Sequence, residues 1–113
     1  MTKLELCNLL KSLQIPVNEG EFAFDRVNQY PKIVYWEYIS EDDLASGTDY
    51  QERNTYQVSF QSRTPIKEDP KFKMLRNLLR EKDIHPTFQF EYIAEKNINH
   101  CFFSVEVVEG YVG

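Results

Sequence analysis

The sequence predicts an α+β fold in which a single antiparallel sheet of four to five strands carries two helices on one face. Two patterns predict it: several stretches alternate apolar and polar residues, as strands do, and two others space apolar residues as helices do. Strands that follow one another in a chain usually pair, and amphipathic helices need a sheet face to cover. The element order is α-β-β-β-α-β-β, within one domain spanning residues 1–113.

The first helix is predicted over residues 3–13. Thr2 and Glu5 have the spacing of a capping box, and Pro16 ends any continuation of the helix. A turn with short flanking strands is expected at Gly20. Charged residues interrupt the apolar stripe, so the pattern is not that of a signal peptide or a membrane span. The apolar residues of this helix are Leu4, Leu6, Leu9, Leu10 and Leu13.

The next two strands are predicted at residues 30–39 and 54–63. In the second strand, Tyr56, Val58 and Phe60 alternate with polar residues. Alternation of this kind predicts one face buried against the core and one face in contact with water. The residues between the two strands are predicted to form an exposed loop.

The second helix is predicted from Pro70 to about Lys82. Asp69 is suited to cap it, and Pro70 is suited to its first position, where the missing N–H would have no partner in any case. One apolar stripe follows, and two alternating strands at 87–93 and 100–109 complete the chain. The side chains expected to face inward from these elements are Phe72, Leu75, Leu78 and Leu79; Phe88, Phe90 and Tyr92; and Cys101, Phe103, Val105 and Val107.

Composition argues against several kinds of chemistry. The net charge is −5, which disfavours a free-standing nucleic-acid binder because such affinity depends on neutralising phosphates. On the face of the sheet expected to be open, only Phe102 could stack on a base. His100 and Cys101 are neighbours on a strand and point to opposite faces, so they cannot share a metal ion. No catalytic motif is present, and no enzymatic activity, metal or cofactor is expected.

The two cysteines, Cys7 and Cys101, are far apart and form no metal-binding or redox motif. They do not indicate a disulfide framework, and a reducing compartment is expected.

Charge is distributed unevenly along the chain. Residues 37–52 contain six acids and no Lys or Arg, whereas residues 63–82 contain seven bases and three acids. On the second helix, Lys73, Arg76 and Arg80 fall at positions i, i+3 and i+7 and form one stripe. Such patches are often two unrelated solvated surfaces.

The alternative is that the two patches are complementary, so that the acidic loop of one copy meets the basic helix of the next. Two different patches that meet head to tail can close into a ring, and facing charges would set register and orientation. The residues assigned to this hypothetical assembly interface are Glu41, Asp42, Asp43, Asp49, Tyr50, Lys73, Arg76 and Arg80.

The order of motifs resembles that of a known family. A "P-x-I-V-Y" strand is followed by "DDLASGTDY", a "Y-Q-V-x-F-x-S" strand, a "K-E-D…K…L…L" helix and a strand pair ending at "FFSVEVVE". The chain is similar in this respect, over about residues 1–108, to the small tail-terminator, tail-completion or head–tail joining proteins of long-tailed phages and prophages of Gram-positive bacteria.

The resemblance implies a non-enzymatic subunit that assembles, usually as a hexameric ring, at the head-proximal end of the tail tube. Its partners would be further copies of itself, the tail-tube proteins and the head connector. It would act in the host cytoplasm during assembly and then in the virion tail. The segment from Ser40 to Gln51 would contact a neighbouring subunit or line a lumen through which DNA passes without specific binding, away from any membrane.

Other functions also fit the residues. A prophage-derived protein–protein interaction module would need the same charged surfaces. A small enzyme or ligand-binding protein could use an aromatic pocket formed by Tyr35, Trp36, Tyr38 and Tyr50. Light scattering against concentration would separate an assembling protein from a monomeric enzyme, and the neighbouring genes would separate a tail protein from an adaptor.

Overall fold

A computed structural model describes residues 1–20, 29–46 and 49–112 of the protein. The described elements are two helices, five strands and one short 3-10 turn, Ile66–Glu68, that lies between the third strand and the second helix. They are α1 (Lys3–Lys11), β1 (Val17–Glu19), β2 (Lys32–Ser46), β3 (Asp49–Ser62), α2 (Pro70–Glu81), β4 (Gln89–Ile93) and β5 (Ile98–Val112).

The five strands form one sheet in the order β1-β2-β3-β5-β4. Strands β2, β3, β5 and β4 pair antiparallel, whereas β1 runs parallel to β2, with Val17 opposite Ile33. The α+β class and the predicted element order are confirmed. The sheet is mixed rather than wholly antiparallel because residues 20–31, which connect β1 to β2, are long enough to return the chain to the same end of the sheet.

Both helices cover the same face of the sheet, as predicted. Phe72 contacts Phe60 and Phe88 with ring centroids 5.7 and 5.3 Å apart, and Phe88 contacts Phe103 at 5.0 Å. Burial of these apolar faces is the main source of stability in such a layered fold. The core consists of Leu6, Leu9, Leu10, Leu13, Ile33, Tyr35, Tyr56, Val58, Phe60, Ile66, Phe72, Leu75, Leu79, Cys101, Phe103, Val105 and Val107.

The predicted helix caps are present. Thr2 Oγ1 accepts a hydrogen bond from the Glu5 N–H at 3.2 Å, and Asp69 Oδ1 accepts one from the Lys71 N–H at 2.8 Å. Asp69 Oδ2 also accepts from the hydroxyl of Ser62 at 2.6 Å. The buried carboxylate of Asp69 therefore fixes the start of α2 relative to the end of β3.

The acidic segment predicted as a loop is mostly β-structure, and that prediction was wrong. Strand β2 continues to Ser46, and β3 begins at Asp49, so Ser40 pairs with Asn54 and Asp43 with Gln51. Acidic residues have low strand propensity. Here the ladder to β3, which is itself paired with β5 on its other side, holds them in extended form.

A β-bulge interrupts this hairpin at Tyr38. Glu37 lies opposite Tyr56, but Ile39 lies opposite Thr55, so Tyr38 is an extra residue in β2. The Tyr38 hydroxyl lies 2.9 Å from the hydroxyl oxygen of Ser104, across β3. One inserted residue reverses which side chains face each side of a strand. From Ile39 to Leu44, odd-numbered residues of β2 therefore lie opposite odd-numbered residues of β3, until a second register shift places Ser46 opposite Asp49.

The prediction that Phe90 and Tyr92 face inward was wrong. Phe90 is 47% exposed and Tyr92 is 57% exposed, although Phe88, just before β4, packs on the core as expected. Strand β4 is at the edge of the sheet, and the Phe72 ring of α2 lies 6.3 Å from the Phe90 ring, between centroids, without burying it. The alternation of apolar and polar residues in β4 correctly predicts the side of the sheet on which these rings lie. It does not predict whether a helix buries them.

The face opposite the helices is only partly open, contrary to the prediction that it contacts water throughout. A polar row crosses it: Lys32 is 1% exposed, Gln61 3% and His100 6%. His100 Nδ1 lies 2.8 Å from Glu91 Oε1, which ends the row. The Tyr30 ring, just before β2, lies 5.0 Å from Lys32 Nζ. Residues distant in the sequence bury part of this face. The alternation of apolar and polar residues along one strand does not predict such burial.

Candidate functional site

The acidic hairpin, residues 37–52, lies on one end of the sheet beyond the region covered by α2. Glu41 is exposed and pairs with Arg53, whereas Asp42 pairs with Glu52. Asp49 and Tyr50 begin β3, opposite Ser46 and Leu44 and also next to the end of β5. The side chains of Asp42, Asp43, Asp49 and Tyr50 lie outside the part of the chain that is described.

Of the acids of this hairpin whose side chains are described, Glu52 accepts a hydrogen bond from Asn54 Nδ2 at 2.9 Å. Arg53, the first base after the hairpin, forms an ion pair with Glu106, with Arg53 Nε 3.2 Å from Glu106 Oε1. Among the described side chains, no base forms an ion pair with Glu37 or Glu41. Acids that face each other across neighbouring strands repel, so Asp42 opposite Glu52 adds to the negative potential of the hairpin.

The basic stripe on α2 is likewise uncompensated. Lys73 and Arg80 are exposed, and Arg76 is half-buried with its guanidinium carbon 5.6 Å from the centre of the Phe88 ring. Within residues 1–20, 29–46 and 49–112, none of the three forms an ion pair. Lys71, by contrast, donates a hydrogen bond to the Leu13 carbonyl oxygen at 2.8 Å, which ties α2 to the end of α1.

The far end of the acidic hairpin is too distant from the basic stripe for the two to meet within one molecule. Phe88, beside the basic stripe, packs on Phe103, which pairs with Val58 of β3. Asp43 pairs with Gln51, which lies in β3 seven residues before Val58. At about 3.3 Å per residue, this separation is roughly 23 Å, well beyond the reach of an aspartate side chain. The residues assigned to the interface therefore form two separate surfaces.

A small cavity of about 130 Å³ opens at the carboxyl end of α2. The polar groups that line it come from Arg76, Arg80 and His85, and its apolar walls are Leu79, Ile84, Pro86 and Phe88. His85 lies near the two arginines only because the chain turns back after α2. No spacing pattern in the sequence indicates this proximity. From the sequence, only the i, i+4 spacing of Arg76 and Arg80 on the second helix can be seen.

The four aromatic residues considered for a ligand pocket do not form one. Tyr35 belongs to the core under the helices, whereas Tyr38 is exposed on the opposite face, where its hydroxyl meets Ser104. Burial, and then the contact between its hydroxyl and Cys7 Sγ at 3.1 Å, raises the pKa of Tyr35 above its ordinary value. The side chain of Tyr50 is outside the described residues.

Two wider depressions lie elsewhere on the surface. One, of about 390 Å³, lies between the 3-10 turn and β4 and is lined by Ile66, Lys67, Phe90 and Tyr92 among others. The other, of about 380 Å³, lies on the face opposite the helices, next to Phe102. The exposed rings of the first depression give it an apolar floor of the kind found at protein contacts.

The cysteines are structural in character. Burial raises the pKa of the Cys101 thiol to about 12, against a smaller opposing effect of Arg76. A thiol with a pKa this high contains very little thiolate at neutral pH and is a poor nucleophile or metal ligand. Among the described residues, no group of three His, Cys, Asp or Glu side chains could hold a metal ion, and no helix is long and apolar enough to cross a membrane.

Comparison with known proteins found no family model that matches the chain and no curated protein that matches it.

Proposed function

We propose that the protein is a structural component of a phage tail that caps or completes the tail tube and joins it to the head connector. It would act as a ring of identical copies without catalytic activity, first in the host cytoplasm and then in the virion tail. The resemblance in motif order over residues 1–108 supports the tail assignment. The α+β architecture, with helices on one face of a sheet, is compatible with it.

The observation that carries the proposal is the separation of two unbalanced charge patches on one chain. Glu37 and Glu41 of the acidic hairpin, residues 37–52, and the basic stripe Lys73, Arg76 and Arg80 form no ion pair among the described side chains. About 23 Å of strand also separates Asp43 from the part of the sheet beside the stripe. A second copy supplies the missing partner for each patch. Because the patches differ, the contact is heterologous, and such contacts propagate until a ring closes.

Charge-based contacts of this kind favour orientation and rate over affinity. The isolated chain is therefore expected to associate weakly, with firm assembly only on the tail tube and connector. Acids of the hairpin that do not face a neighbour would line the lumen, where like charge discourages DNA phosphates from adsorbing. Six copies per ring is what the resemblance implies.

The test is a charge swap. Asp42→Lys with Asp43→Lys should abolish the production of infectious particles when the variant replaces the natural chain in its phage. Arg76→Glu with Arg80→Glu should do the same. A chain with all four substitutions restores complementarity between copies, and we expect it to recover particle production at least in part.

Glu95→Lys, in the exposed turn between β4 and β5, is the matched control for reversal of an acid outside the hairpin. It should leave particle production unchanged. Thermal unfolding of each variant should show that the melting temperature has not fallen. Normal particle production by both double variants would refute an assembly role for these patches, and genes for unrelated enzymes on both sides would refute the tail assignment.

A second candidate is a non-catalytic adaptor that binds another protein outside the virion. The exposed rings of Phe90 and Tyr92, beside Ile66 and Lys67, favour it because an apolar surface next to a sheet edge is a common docking site. Phe90→Ser with Tyr92→Ser distinguishes the two. Loss of a cellular partner with intact particle production would support the adaptor.

A further inference from the structure

We infer that the cavity at the carboxyl end of α2 is a carboxylate-binding pocket that receives an acidic side chain from the hairpin 37–52 of a second copy. The inference rests on the proposed function for the identity of its occupant. The inference restricts the basic contact surface from the whole stripe on α2 to one site, which is formed by Arg76, Arg80 and His85. It also separates these residues from Lys73, which lies outside the pocket walls.

The walls of the cavity combine positive charge with apolar surface. Arg76 and Arg80 lie one turn apart on α2, and His85 follows in the turn after the helix. No acidic side chain is among the lining residues, and the carboxylate of Asp83 lies beside the cavity, 2.9 Å from His85 Nε2. Guanidinium groups bind carboxylates through parallel N–H···O bonds, and apolar walls strengthen such bonds by excluding water.

The helix end itself does not cancel this positive charge. Carbonyl groups at the carboxyl end of a helix carry partial negative charge. Here the Leu79 carbonyl accepts hydrogen bonds from the N–H groups of Lys82 and Ile84, at 3.1 and 2.9 Å, and the Arg80 carbonyl accepts one from Asp83 at 2.9 Å. With these acceptors occupied by backbone N–H groups, Arg76 and Arg80 are the residues with a formal charge among those that line the cavity.

Two of the three polar side chains of the pocket, Arg76 and His85, make contacts within the molecule before any ligand binds. The Arg76 guanidinium lies over the Phe88 ring, which is fixed in turn by Phe72 and Phe103. Asp83 adopts a left-handed φ of 57° that turns the chain back after α2. His85 Nε2 lies 2.9 Å from Asp83 Oδ1, so the imidazole is tethered beside the arginines. Little ordering would be required on binding.

The occupant is identified by charge and by reach. Residues 37–52 contain six acids without a Lys or Arg, the largest such excess in the chain. The roughly 23 Å of strand between Val58 and Gln51 keeps Asp43 away from the pocket of its own molecule. A volume of about 130 Å³ suits one carboxylate group rather than a whole strand.

The test uses the full chain as receptor and a synthetic peptide of residues 36–46 as probe, with binding followed by calorimetry at low salt. We expect the peptide to bind, and its affinity to fall by roughly tenfold or more in the Arg76→Gln and Arg80→Gln double variant. A peptide with Gln at position 41 and Asn at positions 42 and 43 should lose affinity to a similar degree. Unfolding curves should confirm that the variant receptor is folded.

Arg63→Gln is the matched control, because Arg63 also lies over an aromatic ring, that of Tyr30 at 4.8 Å, but outside the pocket. It should change affinity less than twofold. Equal binding to the receptor with and without Arg76 and Arg80, equal binding of the amide peptide, or no binding at all would overturn the inference. Titration with sodium phosphate and sodium acetate completes the test: binding of phosphate without binding of the acidic peptide would also overturn it.

Failure of the pocket and failure of the proposed function give different results. If particle production depends on the hairpin charges but the peptide ignores Arg76 and Arg80, the pocket is refuted and the assembly role stands. If the peptide requires both arginines but particles form normally after hairpin reversal, the pocket is supported and the assembly role is refuted.

Discussion

The two halves of β3 show how one strand can serve two purposes. From Tyr56 to Ser62 it alternates, and its apolar side chains lie under α1 and α2. From Asp49 to Asn54 it is polar on both sides and belongs to the acidic hairpin. The backbone of both halves is paired on both edges, with β2 and with β5. The difference therefore lies in the polarity of the side chains, not in the backbone hydrogen bonding.

This difference assigns stability to one region and, under the proposed function, recognition to the other. The covered half gains free energy from apolar burial, at about 25 cal/mol per Å² removed from water. The acidic hairpin concentrates like charge along the chain, with six acids and no Lys or Arg in residues 37–52. Substitutions in the covered half should lower the free energy of unfolding, whereas substitutions in the hairpin should change binding.

The largest effect is expected from Phe72→Ala in the covered region. Phe72 is buried and touches the rings of Phe60, Phe88 and Phe90. Its removal should lower the free energy of unfolding by about 3–5 kcal/mol, measured by urea denaturation. Met74→Ala, on the exposed side of the same helix, should cost less than about 1 kcal/mol. Similar losses in both variants would mean that α2 does not pack as described.

A smaller loss is expected at the junction that ties α2 to β3. Asp69→Ala removes the acceptor for the Lys71 N–H and for the Ser62 and Thr64 hydroxyls. The expected loss is about 1–3 kcal/mol, from the missing cap and from polar groups left without partners. Glu81→Ala, exposed at the other end of α2, should change the free energy of unfolding by less than about 0.5 kcal/mol. Asp69→Asn should retain part of the cap.

The smallest effect on stability is expected in the hairpin. A triple variant, Glu41→Gln, Asp42→Asn and Asp43→Asn, keeps side-chain size and removes like charge. The free energy of unfolding should change by less than about 0.5 kcal/mol at physiological salt. Thermal unfolding at low and high salt measures it. A loss above about 1 kcal/mol would show that these acids hold the fold together, and the contrast between the two regions would fail.

Part of the candidate site was visible in the sequence. The acid excess at 37–52 and the bases of α2 are matters of composition and helical spacing, which do not depend on the fold. The extended form of the hairpin was missed because Glu and Asp disfavour strands locally, and the pairing of β3 with both β2 and β5 overrides that preference. The pocket was missed because His85 reaches Arg76 and Arg80 only through the turn after α2.

The sequence by itself determined the class of the fold, the two helix caps, most of the core and the opposed charges, because each depends on local spacing or composition. The tertiary structure alone decided that β1 is parallel, that the acidic segment is a paired hairpin, that Phe90 and Tyr92 are exposed, and that Lys32, Gln61 and His100 are buried. Each of these depends on which distant element lies next to a strand and how far it extends, and that is a property of packing between residues far apart in the chain.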